Sequence, residues 1–385
     1  MSSPPTLAFY VSGHGFGHAS RDIEVLNRLH ALAPGVRLLV RTSAPRWLFD
    51  LTLAAPADWR PLECDTGIVQ IDSLRLDVGA TLARAAQFAG DLPEAVRREA
   101  RFLQSEGVTL VVADVPPLAC AAAHAAGIPA VALGNFTWDW IYAGYEPEIQ
   151  RYPSLVPALK AAYAGARLAL RLPLHGGFEA FASVEDVPFI ARRATRRPAE
   201  TRARFGLPAD RPLVLASFGG YGLRGIDLTR LAGLREWLVV TTSNVQAPRR
   251  GDDLPHAGSG AAPDAPLPDT VRLVDEREIY AAGFRYEDLV AAVDAVATKP
   301  GYGIIAEAVA NGAAMLYTSR GRFVEYDVMV REMPRYLRCE FISNEDLLAG
   351  RWQGPLERLR AQGPPPSPPR VDGADVVAGR LLSRL

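Results

Sequence analysis

Two histidines inside a glycine-rich stretch, Gly13-His14-Gly15-Phe16-Gly17-His18-Ala19-Ser20-Arg21, are the residues of this chain best suited to chemistry. An apolar run from Leu7 to Val11 enters the stretch and a helical pattern leaves it, so a strand, a tight turn and a helix N-terminus are expected. Glycines such as Gly15 and Gly17 let backbone approach a ligand without Cβ clashes, and free N–H groups at the helix start favour an anion or a polar oxygen. A turn that had only to be tight would be served by glycine and asparagine. Imidazoles at His14 and His18 point to proton chemistry or hydroxyl recognition, the plainer alternative being a helix-capping loop with incidental histidines. His18 stands where the dinucleotide fingerprint needs its last glycine, and the Gly-Lys-Ser/Thr of a P-loop is absent. Hydride-transfer and kinase readings therefore lose their usual support.

Elements must hold these residues. After the turn, 20–33 sets Ile23, Leu26, Leu29 and Leu32 at helical spacing before Pro34-Gly35, and 36–40 reads as the next strand. Beyond a variable stretch (47–76), a helix near 81–106, a strand at 108–113 ending in Asp114, a helix at 118–126 and a strand at 130–133 continue the alternation. Such units build a parallel sheet covered on both faces, with ligands beyond the carboxyl ends of its strands. His18, Asp114 and the segment 135–139 all follow strand ends and are expected to line one edge. The arginine-rich stretch 192–204 is expected to link a domain at 1–191 to a second at 205–385. There, strands at 212–217 and 238–242, a mobile polar loop at 248–269, a helix at 288–293, a strand at 294–298 and a helix at 304–311 are expected. Phe218-Gly219-Gly220-Tyr221-Gly222 and Lys299-Pro300-Gly301-Tyr302-Gly303 repeat the strand-to-glycine-turn pattern. The last residues, 372–385, form an amphipathic helix able to pack back on the first domain.

Composition removes several function classes. With 42 basic and 43 acidic residues the net charge is −1, so no bulk field recruits nucleic acid or an anionic membrane. Cys64, Cys120 and Cys339 are far apart and lack CxxC spacing, which argues against a disulfide framework and a structural zinc site. No basic leader and no run of about 18 apolar residues occurs, so an unprocessed cytoplasmic protein without a transmembrane segment is expected. Of the 42 basic residues only Lys160 and Lys299 are lysine, which singles out Lys299 beside its glycine turn.

The motifs are also recognisable together. The run from Tyr10 to Arg21, the segment Asn135-Phe136-Thr137-Trp138-Asp139-Trp140-Ile141-Tyr142, Lys299 to Gly303 with Glu307, the stretch 65–77 and Arg322-Phe323-Val324-Glu325 closely resemble the glycosyltransferase-like N-terminal half of plant-type L-arabinokinases. More distantly the chain is similar to the lipid-II-forming N-acetylglucosaminyltransferase and to plant UDP-glucosyltransferases. The resemblance implies an α/β chain of GT-B type, two Rossmann-like domains facing a central cleft. It implies a nucleotide-diphosphate-sugar donor on the C-terminal half, a small-molecule or glycan acceptor on the N-terminal half, and neither cofactor nor catalytic metal. Carried over residue by residue, His18 is the base of an inverting transfer and Asp114 its carboxylate partner, with a helix N-cap as the other reading of Asp114. Donor contacts fall to Gly15, Gly17, Ser217, Gly219, Gly220, Lys299, Gly301, Tyr302, Gly303, Glu307 (on the ribose hydroxyls), Arg322 and Glu325. Acceptor contacts fall to His14, Asp72, Asn135, Trp138 and Asp139, although Trp138 and Trp140 could equally be core aromatics. Arabinokinases also carry a downstream GHMP-type kinase domain; the residues to Leu385 do not include one, so sugar phosphorylation by such a module is not expected of them. Two rivals stay open: a silent nucleotide-sugar-binding module, and a nucleotide-sugar 2-epimerase, ranked lower because His256 is the only histidine of the C-terminal half. The nucleotide base, the sugar and the oligomeric state are not legible.

Overall fold

The structure is a computed structural model that describes residues 4–218, 228–243, 267–366 and 369–385. The chain forms two compact units. The first comprises Met1–Val69, Leu76–Ala191 and Arg370–Leu385, the second Gln70–Arg75 and Arg192–Pro369.

In the first unit seven strands, β1 (Thr6–Val11), β2 (Arg37–Thr42), β3 (Asp58–Pro61), β4 (Val108–Asp114), β5 (Ala130–Phe136), β6 (Leu168–Gly176) and β7 (Val184–Asp186), form one sheet in the order β3-β2-β1-β4-β5-β6-β7. Every pairing is parallel. All six residues of β1 are buried, because helices cover both faces and no solvent-facing alternation is called for. The crossovers include α1 (Gly17–Leu32), α2 (Arg46–Thr52), α3 (Val78–Ser105), α4 (Pro117–Ala126), α5 (Trp138–Ala143) and α6 (Leu155–Tyr163). Ile23, Leu26 and Leu29 of α1 are fully buried, each contributing about 1.5–3 kcal/mol relative to exposure. Tyr10, Arg41 and Glu99 make a buried polar contact between the sheet and α3: the Tyr10 hydroxyl donates to Glu99 Oε2 (2.8 Å), and Arg41 pairs with the same carboxylate. The C-terminal helix Gly373–Leu382 packs on α1 in this unit, with Val377, Ala378 and Leu381 buried and Arg28 paired to Asp375.

The second unit repeats the plan. Strands β8 (Leu213–Ala216), β9 (Leu238–Ser243), β10 (Val271–Asp275), β11 (Ala295–Thr298), β12 (Ala314–Tyr317) and β13 (Cys339–Phe341) run parallel in the order β10-β9-β8-β11-β12-β13. Its helices are α7 (Pro198–Arg204), α8 (Glu276–Ala281), α9 (Tyr286–Ala292), α10 (Tyr302–Asn311), α11 (Glu325–Glu332), α12 (Asn344–Leu348) and α13 (Gln353–Ala361). In each sheet the strand order reverses once, between β1 and β4 and between β8 and β11, and open α/β sheets bind ligands beyond the carboxyl ends at such a reversal.

The expected class, two parallel-sheet α/β units, is the observed one. The segment 192–204 is not a free linker. Its arginines find acceptors within the second unit: Arg202 Nε donates to the Ala292 carbonyl (2.7 Å) and its Nη2 reaches Asp294 (3.0 Å), while the Thr195 and Arg196 amides donate to Asp288 Oδ1. Residues 370–385 belong to the first unit and Gln70–Arg75 to the second. Residues 248–266 of the expected mobile loop, His256 among them, lie outside the described residues. Among the described residues no helix is long and apolar enough to cross a membrane.

Candidate active site

At the reversal point of the first sheet, Val11 at the end of β1 is in register with Asp114 at the end of β4, and the Ser12 amide donates to the Asp114 carbonyl (2.8 Å). The glycine turn begins there. A Cβ on Gly13 would stand 2.1 Å from Ser43 Oγ, and Gly15 has φ +71°, so crowding fixes the first glycine and backbone conformation the second. The helix starts at Gly17, three residues earlier than expected, which places His18 in its first turn and not in the loop.

His18 is 6% exposed, and its Nδ1 lies 3.0 Å from Asp114 Oδ1. Arg21 grips the same carboxylate: Nε donates to Oδ2 (2.6 Å) and Nη2 to Oδ1. Its Nη1 donates to Asn135 Oδ1 (2.9 Å), and Nη2 is 2.9 Å from His18 Nδ1. Burial alone would raise the Asp114 pKa, but the charges of Arg21 and His18 and their hydrogen bonds hold it down at about 2. Asp114 does not cap α4. The N-cap position is Pro116, and the carboxylate turns towards His18 and Arg21.

The acceptor-side candidates are placed differently from expectation. Asn135, Trp138 and Asp139 are each 1% exposed. Asn135 holds Arg21. Trp138 donates from Nε1 to Asp65 Oδ2 (2.9 Å) and stacks on Tyr142, so the core reading applies to it. Burial pushes the Asp139 carboxyl upward. His14 is half-buried at the turn, its ring edge-on to Trp138 at 5.7 Å and its Nδ1 accepting from the Ile68 amide (3.3 Å). Asp72 lies in the second unit and spends its oxygens locally, accepting from the Leu74 and Arg75 amides and from Arg75 Nε at 2.8–2.9 Å.

At the reversal point of the second sheet, Ser217 follows β8 and Lys299 follows β11. The Ser217 hydroxyl accepts from Tyr286 (2.6 Å). Gly301 is the N-cap of α10, and a Cβ there would meet nothing within 4 Å among the described residues; Tyr302 and Gly303 form the first turn. Burial, then the charge of Arg320, draws the Lys299 ammonium well below the usual lysine range, with Glu325 opposing. Arg320 lies over the Phe323 ring at 3.6 Å and pairs with Glu325 Oε1 at 3.7 Å; Arg322 is exposed. Glu307 is buried and holds Arg192, whose Nε donates to Oε1 (2.7 Å). Burial raises the Glu307 carboxyl, Arg192 opposes this and Glu287 adds to it. Gly219 and Gly220 lie outside the described residues.

Sequence reasoning missed the grips that hold these groups, Arg21 on Asp114 and Arg192 on Glu307. Arg21 could have been found, because it stands three residues after His18 and so on the same helical face. For Arg192, 115 residues from its partner, the sequence carries no such local signal.

No model of a known protein family matches the chain. It is similar to the L-arabinokinase of Arabidopsis thaliana, with 32% identity over 357 residues; the match covers 91% of this chain and 32% of that protein, so the chain spans about a third of the relative's length. Similar solved structures are the calicheamicin glycosyltransferase CalG4 (TM-score 0.60, 17% identity, 100% of this chain and 95% of that one) and the glycotransferase of kitacinnamycin (0.60, 17%, 100% and 96%). Arabidopsis thaliana UGT89C1 complexed with UDP is another (0.58, 12%, 98% and 100%). The chain has the GT-B glycosyltransferase fold.

Proposed function

We propose that the chain is a glycosyltransferase that moves a sugar from a nucleotide-diphosphate-sugar donor to a hydroxyl acceptor with inversion, His18 serving as the base. The observation that carries this reading is the 3.0 Å contact between His18 Nδ1 and the buried Asp114 carboxylate at the reversal point of the first sheet. With the Nδ1 proton donated to Asp114, Nε2 keeps a lone pair. Nε2 takes the proton of the acceptor hydroxyl as that oxygen attacks the anomeric carbon. The bond from that carbon to the diphosphate oxygen breaks, and its electron pair leaves with the nucleotide. Lys299, Ser217 and the amides of Gly301, Tyr302 and Gly303 receive the diphosphate charge, and Glu307 takes the ribose hydroxyls. Gly15, Gly17 and Glu325 are further donor contacts in this reading, with Arg322 at the sugar. His14, half-buried at the turn, is the acceptor-side contact. No cofactor or catalytic metal takes part. The three free cysteines support a cytoplasmic setting.

The test is incubation of the protein with a panel of nucleotide sugars and hydroxyl acceptors, following melting temperature and free nucleotide together. A rise in melting temperature with acceptor-dependent nucleotide release is expected. Stabilisation without release across the panel would leave a binding module in place of an enzyme.

A further inference from the structure

His18, Arg21 and Asp22 stand at positions i, i+3 and i+4 of α1, on one face of its first turns. They are 6%, 4% and 0% exposed, and they meet Asp114, also 0% exposed. An arginine keeps its charge at any pH the fold survives and offers only donors, so this buried guanidinium needs an anion. Asp114 supplies it by accepting on both oxygens. Oδ1 then collects two donors, Arg21 Nη2 and His18 Nδ1, and that convergence brings the two nitrogens to 2.9 Å. With the proton on Nε2 instead, Nδ1 would accept from Arg21 Nη2 at 2.9 Å but turn its lone pair on Oδ1 at 3.0 Å; the full negative charge of Asp114 favours the proton on Nδ1.

Asp22 is the group this arrangement leaves over. Among the described residues neither of its oxygens receives a hydrogen bond, and Asp114 is the carboxylate beside it. Two buried carboxylates against one guanidinium would leave a charge uncompensated. Asp65, the other acid near Asp114, has its own donors in Ser12 and Trp138. We propose that Arg21 is the positioning residue of the dyad: its guanidinium pins Asp114 as the anion facing His18 and leaves Asp22, buried without a hydrogen bond, as the carboxyl that keeps its proton. The directions agree, since burial and the Asp114 charge push the Asp22 carboxyl well above the usual range while Arg21 and His18 hold Asp114 low. This proposal rests on the reading of His18 as the base.

The test uses the resting full chain without ligand, so it does not depend on transfer. Infrared spectra near neutral pH should contain the carbonyl stretch of a protonated carboxylic acid, and the difference spectrum between parent and Asp22→Asn should show the loss of one such component. Nitrogen-15 spectra of labelled histidine, with His18 assigned by its loss in His18→Gln, should report a protonated Nδ1. This signature should survive in Asp22→Asn and be lost in Arg21→Lys, whose fold is checked by circular dichroism. No loss of acid-band intensity in Asp22→Asn, or a His18 signature unchanged in folded Arg21→Lys, overturns the proposal. Should Arg21→Lys not fold, the Asp22→Asn band decides. If the spectra come out as expected while His18→Ala keeps full transfer, the base reading fails and the arrangement around Arg21 stands.

Discussion

Two aspartates a few ångströms from one arginine take opposite states because only one of them is gripped. Asp114 receives the Arg21 fork; at Asp22 burial and the Asp114 charge outweigh the opposing charge of Arg21. A consequence for stability follows. Asp22 has a folded-state pKa above its ordinary 3.8, so between those two values the folded chain binds more protons than the unfolded one and stability falls as pH rises. Asp22→Asn removes that slope. The stability difference between variant and parent should therefore move in the variant's favour from about pH 4 upward, by at most about 1.4 kcal/mol per pH unit. Melting curves at several pH values measure it, and a difference independent of pH would show that Asp22 holds no proton. At this scale the candidate pair was legible as residue types, an imidazole in a glycine turn and a carboxylate at a strand end. Their buried surroundings were not, because Asp114 meets Arg21 across 93 positions and the burial of Asn135, Trp138 and Asp139 is set by packing distant in sequence.

His18 and Lys299 each stand by a strand end, a glycine turn and a helix start, and both turns can be tested. In the first, Ser43 Oγ occupies the space a Gly13 side chain would need. Gly13→Ala should cost about 1–3 kcal/mol through overpacking, read from chemical denaturation, and Ser43→Gly in the same chain should restore most of it. No recovery in the double variant would mean that backbone, and not that contact, requires the glycine. In the second turn, burial and Arg320 weaken the hold of Lys299 on its proton. An arriving diphosphate favours the charged ammonium, so nucleoside diphosphate binding should take up protons. Calorimetry in buffers of different ionisation enthalpy would show this uptake, which should disappear in Lys299→Met; equal uptake in both chains would move the effect elsewhere. Long periodic elements such as α1 and α10 were legible within a few residues. The helix start at Gly17 was not, since three glycines in six residues read as turn, and α7 was hidden because its arginines read as solvated linker.

Over the whole chain, the same strand order is built twice, and the two reversal points carry different chemistry: an imidazole with a carboxylate in one unit, a lysine at a helix start in the other. The α/β alternation made this doubling legible. The exchange of Gln70–Arg75 into the second unit and of Arg370–Leu385 into the first was only partly so, because packing partners distant in sequence decide it. Gly373 shows why the terminal helix docks where it does: its Cα lies so close to the Pro188 and Phe189 carbonyls that a Cβ would stand 2.3 Å from the first. The division of chemistry gives the most direct test. In His18→Ala, acceptor-dependent nucleotide release should fall by about 10²–10⁴-fold, the usual share of a general base, while the dissociation constant for the nucleotide sugar, whose proposed contacts lie mainly in the second unit, stays near that of the parent. Release retained within about tenfold of the parent, at unchanged donor affinity, would contradict the account.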